Sequence, residues 1–470
     1  MRHLPDTVLE LARAVAAAGG RAMLNGGCVR DPLLTPPQET KDWDIEVYGI
    51  QPQELRELVS QFGDVNVVGE SFAVYKVGRH LDVSLPRRER KAGVGHRGFV
   101  VEGDPEMSFE EACRRRDFTI NAILEDPLTG EIIDPFDGRG DIERRLLRMV
   151  SGDTFAEDSL RVLRAAQFAA RFEFSVEAET AELCSRIDVT DLPRERIWGE
   201  MEKPLLKAEQ PSIGLKLLYD WGVVEQLFPE LQSLVGVPQE PEWHPEGDVD
   251  IHTMMVIDEA RKLIDGLDHA RQVAVMLGAL CHDLGKPPTT EFIEGRTRSR
   301  GHDEAGVEPT ISLLDRLGIY TLDGFDVREQ IIQLVRYHLV PGEWYKAQTK
   351  GQPVGDGAFR RLARKVEPDL LYRVAKADSL GRNPDWLPPE KRFGSEAQEW
   401  FIEKVRSLSV EQHAPTPLLM GRHLIEMGFE PGPEFRRILD AVYEMQLDGT
   451  VEDLGAAIKA AKAWSGIADN

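Results

Sequence analysis

Two periodicities divide the chain. Up to Ile133 the apolar positions come in short runs or alternate, and beyond Ile142 they recur at helical spacing. An amphipathic helix opens the chain, with Glu10 and Arg13 interrupting an alanine-rich stretch. Arg21 to Leu24 reads as a strand, ended by Gly26-Gly27, a pair that lets the backbone turn tightly. Val29 to Leu34 can begin a helix. Asp42 to Val47 alternates, which puts Asp42, Asp44 and Glu46 on one face of a strand and Trp43, Ile45 and Val47 on the other. Asn66 to Val77 and Leu81 to Leu85 read as further strands of one sheet, Asp82 and Ser84 sharing a face of the second, and Ile132-Ile133 closes the sheet region.

Ile142 to Met149 begins helical, arginine-rich sequence. Phe155 to Ala166 is a helix by its apolar spacing, with Asp158, Arg161 and Arg164 on adjacent turns of one face. Residues 171 to about 235 continue as helices. Pro238 to Pro245, rich in Pro and Glu, is a linker; Leu418 to Ala463 reads as two or three amphipathic helices, assigned to packing and to contacts between copies in a homo-oligomer. The expected fold is α+β: a mixed sheet with helices over residues 1–150, a helical neck over 151–237, a helical domain over 245–390 and a C-terminal helical segment over 391–470.

A chain of 470 residues accommodates about three domains of ordinary size. Cys28, Cys113, Cys184 and Cys281 are widely spaced without pairing, which fits a reducing cytosol. No segment is long and apolar enough to span a membrane, and the first residues lack the apolar core of a signal peptide, so the expected location is the cytoplasm. The formal charge of -24 argues against blanket nucleic-acid binding and leaves only local basic patches. Pro86 to Gly103, with Arg87, Arg88, Arg90, Lys91 and Arg97 among glycines, reads as a mobile basic loop.

The turn at Gly26-Gly27 suits a phosphate, with backbone N–H groups, a helix start and Arg30 as donors. Carboxylates on one strand face can share Mg²⁺, and two such ions hold the attacking and leaving oxygens of a phosphoryl transfer. Either element alone is better explained as a turn or a half-solvated edge strand. Asp82 is a third carboxylate for the set or an exposed strand residue.

Gly26-Gly27-Cys28-Val29-Arg30-Asp31 with Asp42-Trp43-Asp44 resembles the nucleotidyltransferase motif of bacterial CCA-adding enzymes and poly(A) polymerases, the class II branch of the polymerase-β superfamily. The resemblance implies a polymerase-β-like head, catalytic and Mg²⁺-binding Asp42 and Asp44, and nucleotide contacts at Gly26, Gly27, Arg30 and Asp31. Arg114-Arg115-Arg116-Asp117-Phe118-Thr119-Ile120-Asn121-Ala122, three arginines before an apolar helix start, is similar to the family motif for ribose and triphosphate contacts, which assigns Arg115, Arg116 and Asn121 to the nucleotide. Glu157-Asp158-Ser159-Leu160-Arg161 matches the family's base-selecting helix, with Arg164 assisting at the phosphates. Where relatives continue with another arginine, this chain has Gln167. The family's flexible loop falls at Pro86 to Gly103. Pro193 to Glu200 and Leu215 to Phe228 resemble the family's neck, Arg194 and Arg196 being read as surface residues or RNA contacts.

A second constellation follows the linker. His252, His282-Asp283, His302, His338 and Asp378 fall in successive helical segments and resemble the HD-type metal-dependent phosphohydrolase domain. Such ligands suit a divalent transition metal such as Ni, Mn, Zn or Fe. The resemblance implies a first metal on His252, His282, Asp283 and Asp378, with His302 and His338 for a second metal or the substrate phosphate. Lys286 neutralises phosphate or is a solvated helix cap. The expected function is template-independent addition of C, C and A to tRNA from CTP and ATP, with phosphatase or 2′,3′-cyclic phosphodiesterase activity in the HD domain. The rivals are a poly(A) polymerase, a CC-adding enzyme, and an HD phosphohydrolase with a nucleotide-sensing head.

Overall fold

The computed structural model describes residues 3–63, 65–68, 74–91 and 99–465. Contacts divide it into two compact units, Met1–Phe228 and Pro229–Asn470.

The first unit is organised by a seven-stranded mixed sheet. Its strands are β1 (Arg21–Asn25), β2 (Trp43–Tyr48), β3 (Val65–Val68), β4 (Val74–Val77) and β5 (Leu81–Ser84), and, after an intervening ribbon of β6 (Arg87–Lys91) and β7 (Phe99–Gly103), β8 (Leu124–Glu125) and β9 (Ile132–Ile133). The spatial order is β3-β4-β5-β2-β1-β8-β9. Only the β2–β5 pair is parallel; its neighbours are antiparallel. Helix Asp6–Ala17 covers β1 with Val8, Leu11, Ala12 and Val15, an i, i+3, i+4, i+7 stripe that is fully buried. Met23, Tyr48, Cys113 and Leu124 form a core cluster with Met107 and Ala112.

Four local expectations change. Pro86 to Gly103 is not simply a loop: its ends pair as the β6–β7 ribbon, and its middle lies outside the described residues. Ile142 to Met149 is not helical. The helix there is Gly138–Glu143, and Leu146-Leu147 forms strand β10, parallel to β11 (Ser175–Val176). Helix Phe155 to Ala166 breaks in two, Gly152–Phe155 and Leu160–Phe172, because Asp158 accepts the Leu160 N–H at 3.1 Å and turns the chain. Finally, Arg114 and Arg115 close the helix Phe109–Arg114, and the apolar helix start that follows is a three-residue 3₁₀ turn, Thr119–Asn121.

In the second unit, helix His269–Cys281 is buried almost throughout, from Ala270 to Cys281. Helices Val249–Lys262, Val327–Tyr337 and Pro368–Leu380 pack against it, so its C-terminal end opens into the middle of the bundle. Three C-terminal helices, Gly421–Glu426, Pro433–Leu447 and Leu454–Ser465, close on Leu424, Ile438, Val442 and Ala457. No helix among the described residues is long and apolar enough to cross a membrane.

Candidate active sites

Strand register builds the first site. Asn25, the last residue of β1, lies across from Asp44, and Asp44 lies across from Asp82 on β5. The chain leaves β1 through Gly26, whose φ of +65° and ψ of -135° suit glycine alone. A Cβ on Gly26 would stand 3.6 Å from Asp44 Oδ2, so the turn passes close over the carboxylate. A cleft of about 750 Å³ opens here, the size of a small-ligand site, bounded by Asp44, Glu46 and Asp82 and by Arg115, Arg116, Arg161 and Arg164. Burial, then the charges of Asp82 and Asp42, hold the Asp44 carboxyl above its ordinary value, against the pull of Arg116.

Asp42 departs from expectation. The strand starts at Trp43, and Asp42, 76% exposed, places Oδ1 2.9 Å from His80 Nδ1 and does not line the cleft. Asp31 is also outside the cleft lining. It binds the Arg30 guanidinium at 2.5 Å, and Arg30 is further spent on Asn121 Oδ1 at 2.6 Å and on the faces of Phe168 and Phe172. Arg30 nonetheless lines the cleft, and its turn is a four-residue helix, Gly27–Arg30, continued by a 3₁₀ turn, Asp31–Leu33.

Arg116 contacts the carboxylate set. It donates to Asn25 Oδ1 at 3.0 Å and pairs with Glu46 at 3.3 Å. Burial works against its charge, and Glu46 together with Cys113, Tyr48 and Asp117 more than offsets this. Arg164 and Asn121 converge on Asp117, at 2.6 Å and 2.9 Å. Burial would raise Asp117, but Arg164 and Asn121 hold it below the usual carboxylate range. Asp158 and Arg161 both line the cleft, though Asp158 precedes the helix instead of riding on it. Arg161 donates to the carbonyls of Thr154 and Arg115 at 2.5 and 2.7 Å, and Asp158 pairs with Arg196 at 3.1 Å. Arg196, read as a surface residue or RNA contact, thus belongs to the cleft. Gln167 is buried away from it, its Nε2 without a hydrogen-bond partner.

The second site gathers all six residues named for it. His282 caps helix His269–Cys281, Asp283 follows, His302 opens a short helix, His338 caps Val327–Tyr337, and Asp378 lies near the end of Pro368–Leu380. His252 Nε2 is 3.1 Å from Asp378 Oδ1 and 3.8 Å from Asp283 Oδ2; His282 Nε2 is 3.2 Å from Asp283 Oδ2. His302 Nε2 lies 3.4 Å from Asp283 Oδ1 and 3.2 Å from His338 Nε2. Asp283 thus presents one oxygen to each half of the cluster. Burial pushes His338 down to about 4, helped by His302 and His282, which keeps its imidazole neutral. Burial opposes the Asp283 charge, yet His282, Lys286 and His302 hold it well below the usual carboxylate range. His282 Nε2 is buried without a hydrogen-bond partner, as a nitrogen facing a cation would be. The residues present fit a metal of the nitrogen-and-oxygen-binding kind.

Lys286 is no solvated cap: it is buried, 2.7 Å from Asp283 and 2.6 Å from Gln239. The Pro238 to Pro245 stretch, read as a linker, therefore packs onto the site. His244 and Glu246 close beside His252, and neither was legible, since they sit in a proline-rich run with no periodicity. Gly285 lets the helix start at His302 come close: a methyl there would overlap the His302 carbonyl and the Gly306 amide. Gly285→Ala should cost about 1–3 kcal/mol by overpacking and displace His302. Calorimetry should show the second unit melting earlier while nucleotide incorporation by the first stays unchanged.

Three family models match the chain: a Poly A polymerase head domain over 22–148, a probable RNA and SrmB-binding site of polymerase A over 173–234, and an HD domain over 249–383. The Multifunctional CCA protein of Stenotrophomonas maltophilia (strain R551-3) is 43% identical over 308 residues, 63% of this chain and 71% of that protein. That of Thioalkalivibrio sulfidiphilus is 38% identical over 378 residues, 77% of this chain and 85% of that one. Among solved structures, the Bacillus stearothermophilus CCA-adding enzyme in complex with CTP shares the fold with a TM-score of 0.62 at 21% identity, covering 99% of this chain and 100% of that chain. The Thermotoga maritima CCA-adding enzyme complexed with tRNA does so at 0.57 and 20%, covering 98% and 96%. Fold and sites together define a nucleotidyltransferase head joined to an HD phosphohydrolase domain. The chain belongs to the family of multifunctional CCA proteins.

Proposed function

We propose that this enzyme completes the 3′ end of tRNA with C, C and A, consuming CTP and ATP and releasing pyrophosphate, with Asp44 as the carboxylate on which transfer depends. Asp82, across from Asp44, adds to an oxygen-donor set that suits Mg²⁺, which Asp42 would join by turning away from His80. Mg²⁺ held there would supply the Lewis acidity that activates the RNA 3′-hydroxyl and neutralises the triphosphate. The Gly26-Gly27 turn gives the triphosphate close approach to the backbone, and Arg116, anchored by Asn25 and Glu46, faces it with a fixed positive charge. Arg115 and Asn121 serve the ribose and triphosphate, and Arg164, oriented by Asp117, assists at the phosphates.

Cytosine and adenine both offer an exocyclic amine beside a ring-nitrogen acceptor, an order that uracil and guanine reverse. Asp158 accepts from the amine and Arg161 donates to the ring nitrogen. A guanidinium has more N–H groups than the two carbonyls on Arg161 use. The observation that carries this reading is the cross-strand pairing of Asp44 with Asp82 directly beneath the Gly26-Gly27 turn.

In the second unit, His252, His282, Asp283 and Asp378 hold a divalent transition metal, with His302 and His338 available to a second ion or to the substrate phosphate. Bound there, the metal supplies Lewis acidity for hydrolysis of phosphomonoesters and 2′,3′-cyclic phosphates. Four buried thiols outside any disulfide suit a reducing compartment, and we place the enzyme in the cytoplasm.

The deciding experiment incubates the purified protein with tRNA lacking its 3′ end and CTP and ATP, together and singly, and reads product length at single-nucleotide resolution. Growth by three residues ending in A is expected. A stop after two C residues, or a long A ladder, would replace the reading with CC addition or polyadenylation.

A further inference from the structure

Three of the four histidines at the second site present their metal-facing nitrogen by the same device. His282, His302 and His338 each place Nδ1 at 2.7, 2.7 and 2.6 Å from the carbonyl three residues back, that of Ala279, Ser299 and Val335. A carbonyl can only accept, so Nδ1 carries the proton and Nε2 is left to the cluster. All three lie at helix ends or just outside them, where such carbonyls are not consumed by the helix.

His252 has no such carbonyl. It stands in the first turn of Val249–Lys262, and the carbonyl three residues back, Val249, belongs to the helix and also accepts the Thr253 hydroxyl at 2.8 Å. Its Nδ1 instead approaches Glu246 Oε1 to 2.7 Å as an ion-pair contact, without the geometry of a hydrogen bond in this structure, while its Nε2 faces Asp378 and Asp283. The Glu246 side chain is wholly buried. The same Oε1 lies 2.9 Å from His244 Nδ1, and Oε2 is buried without a hydrogen-bond partner. A carboxylate is costly to place there unless its neighbours need it.

We infer that Glu246 is the positioning residue of the HD centre: it takes the place of the missing carbonyl, fixes the His252 ring with Nε2 toward the metal, and is itself clamped by His244. The inference rests on the reading of His252, His282, Asp283 and Asp378 as metal ligands. A carboxylate behind a ligating histidine orients the ring and strengthens the ligand, and losing one costs about 10- to 100-fold in metal affinity.

The test uses full-length protein stripped with a chelator and titrated calorimetrically with Ni²⁺, binding outside the HD centre being defined by the His282→Ala, Asp283→Ala variant. Glu246→Ala should weaken the His282-dependent binding by about 10- to 100-fold at unchanged stoichiometry. Glu246→Gln should weaken it less, because the amide oxygen still accepts one N–H in the same shape, and it should do so at the wild-type melting temperature. Wild-type affinity in both variants would overturn the inference. So would an affinity loss that merely tracks a lower melting temperature, or the loss of one bound Ni²⁺ with the rest unaffected, which would make Glu246 a ligand. Absence of His282-dependent Ni²⁺ binding in the wild type would instead bring down the metal reading, and this inference with it.

Discussion

Asp44→Asn should cut nucleotide incorporation roughly a thousandfold, equivalent to about 4 kcal/mol of lost transition-state stabilisation, while leaving phosphohydrolysis intact. The asparagine keeps the shape and the β1–β2–β5 register but removes the charge that the cleft concentrates between Glu46 and Asp82. Stability should move the other way. The folded Asp44 carboxyl sits above its ordinary value of 3.8, first through burial and then through Asp82 and Asp42. Between the unfolded and the raised folded value the native state binds more protons, so its stability falls as pH rises through that window and stays lower at neutral pH. Without added metal, the Asp44→Asn substitution removes this cost, and the first unit should melt no earlier than wild type at pH 7, the difference fading below pH 3.8. Loss of activity without loss of stability is a pair of results that misfolding does not produce. Single-turnover incorporation of CTP and scanning calorimetry read both; retained incorporation would sink the catalytic assignment.

Asp283→Ala should have the largest effect in the second unit. One carboxylate there answers Lys286 at 2.7 Å, His282 at 3.2 Å and His302 at 3.4 Å, and its removal strips the cluster of the group that joins its two halves. Lys286 is left buried with an unanswered charge. Breaking a buried pair on one side costs about 3–5 kcal/mol. Metal-stimulated hydrolysis of a 2′,3′-cyclic nucleotide should disappear, and the calorimetric transition of the second unit should shift down. CCA addition should persist, because every group assigned to it lies within Met1–Phe228. Hydrolysis that survives would show that the HD cluster is not its seat.

What could be seen in the sequence was whatever a period or a motif carries by itself. The alternation around Asp44 and the apolar run before Gly26 translate directly into β2 and β1, since a strand's faces follow its sequence. Asp82 could be placed on a strand face but not beside Asp44, because pairing is a long-range fact that spacing does not hold. Where local preference and tertiary pairing disagreed, pairing won: Leu146-Leu147 sits in helix-forming, arginine-rich sequence yet pairs with Ser175-Val176. At Asp158 a side chain accepting a backbone N–H two residues on ended a helix that the apolar spacing continued. The six residues that gather at the second site could be named because histidine and aspartate at helical spacing are conspicuous chemistry. Glu246 and His244 escaped, being placed by a non-periodic, proline-rich stretch whose path only the fold determines.

The tight turn between β4 and β5 carries a demand that reaches beyond its own geometry. Gly78, at φ +63°, starts it, and at its far end His80 accepts the Trp43 N–H through its carbonyl at 2.8 Å while its ring reaches Asp42. That bond stands at the start of the β2–β5 pairing, whose register decides which residue faces Asp44. A one-residue insertion or deletion between Gly78 and Leu81 would turn Asp82 to the opposite side of the sheet without touching a single catalytic group. For this head, the length of a surface turn is as much a part of the active site as the carboxylates, and it is the kind of change that residue-by-residue comparison of motifs would pass over.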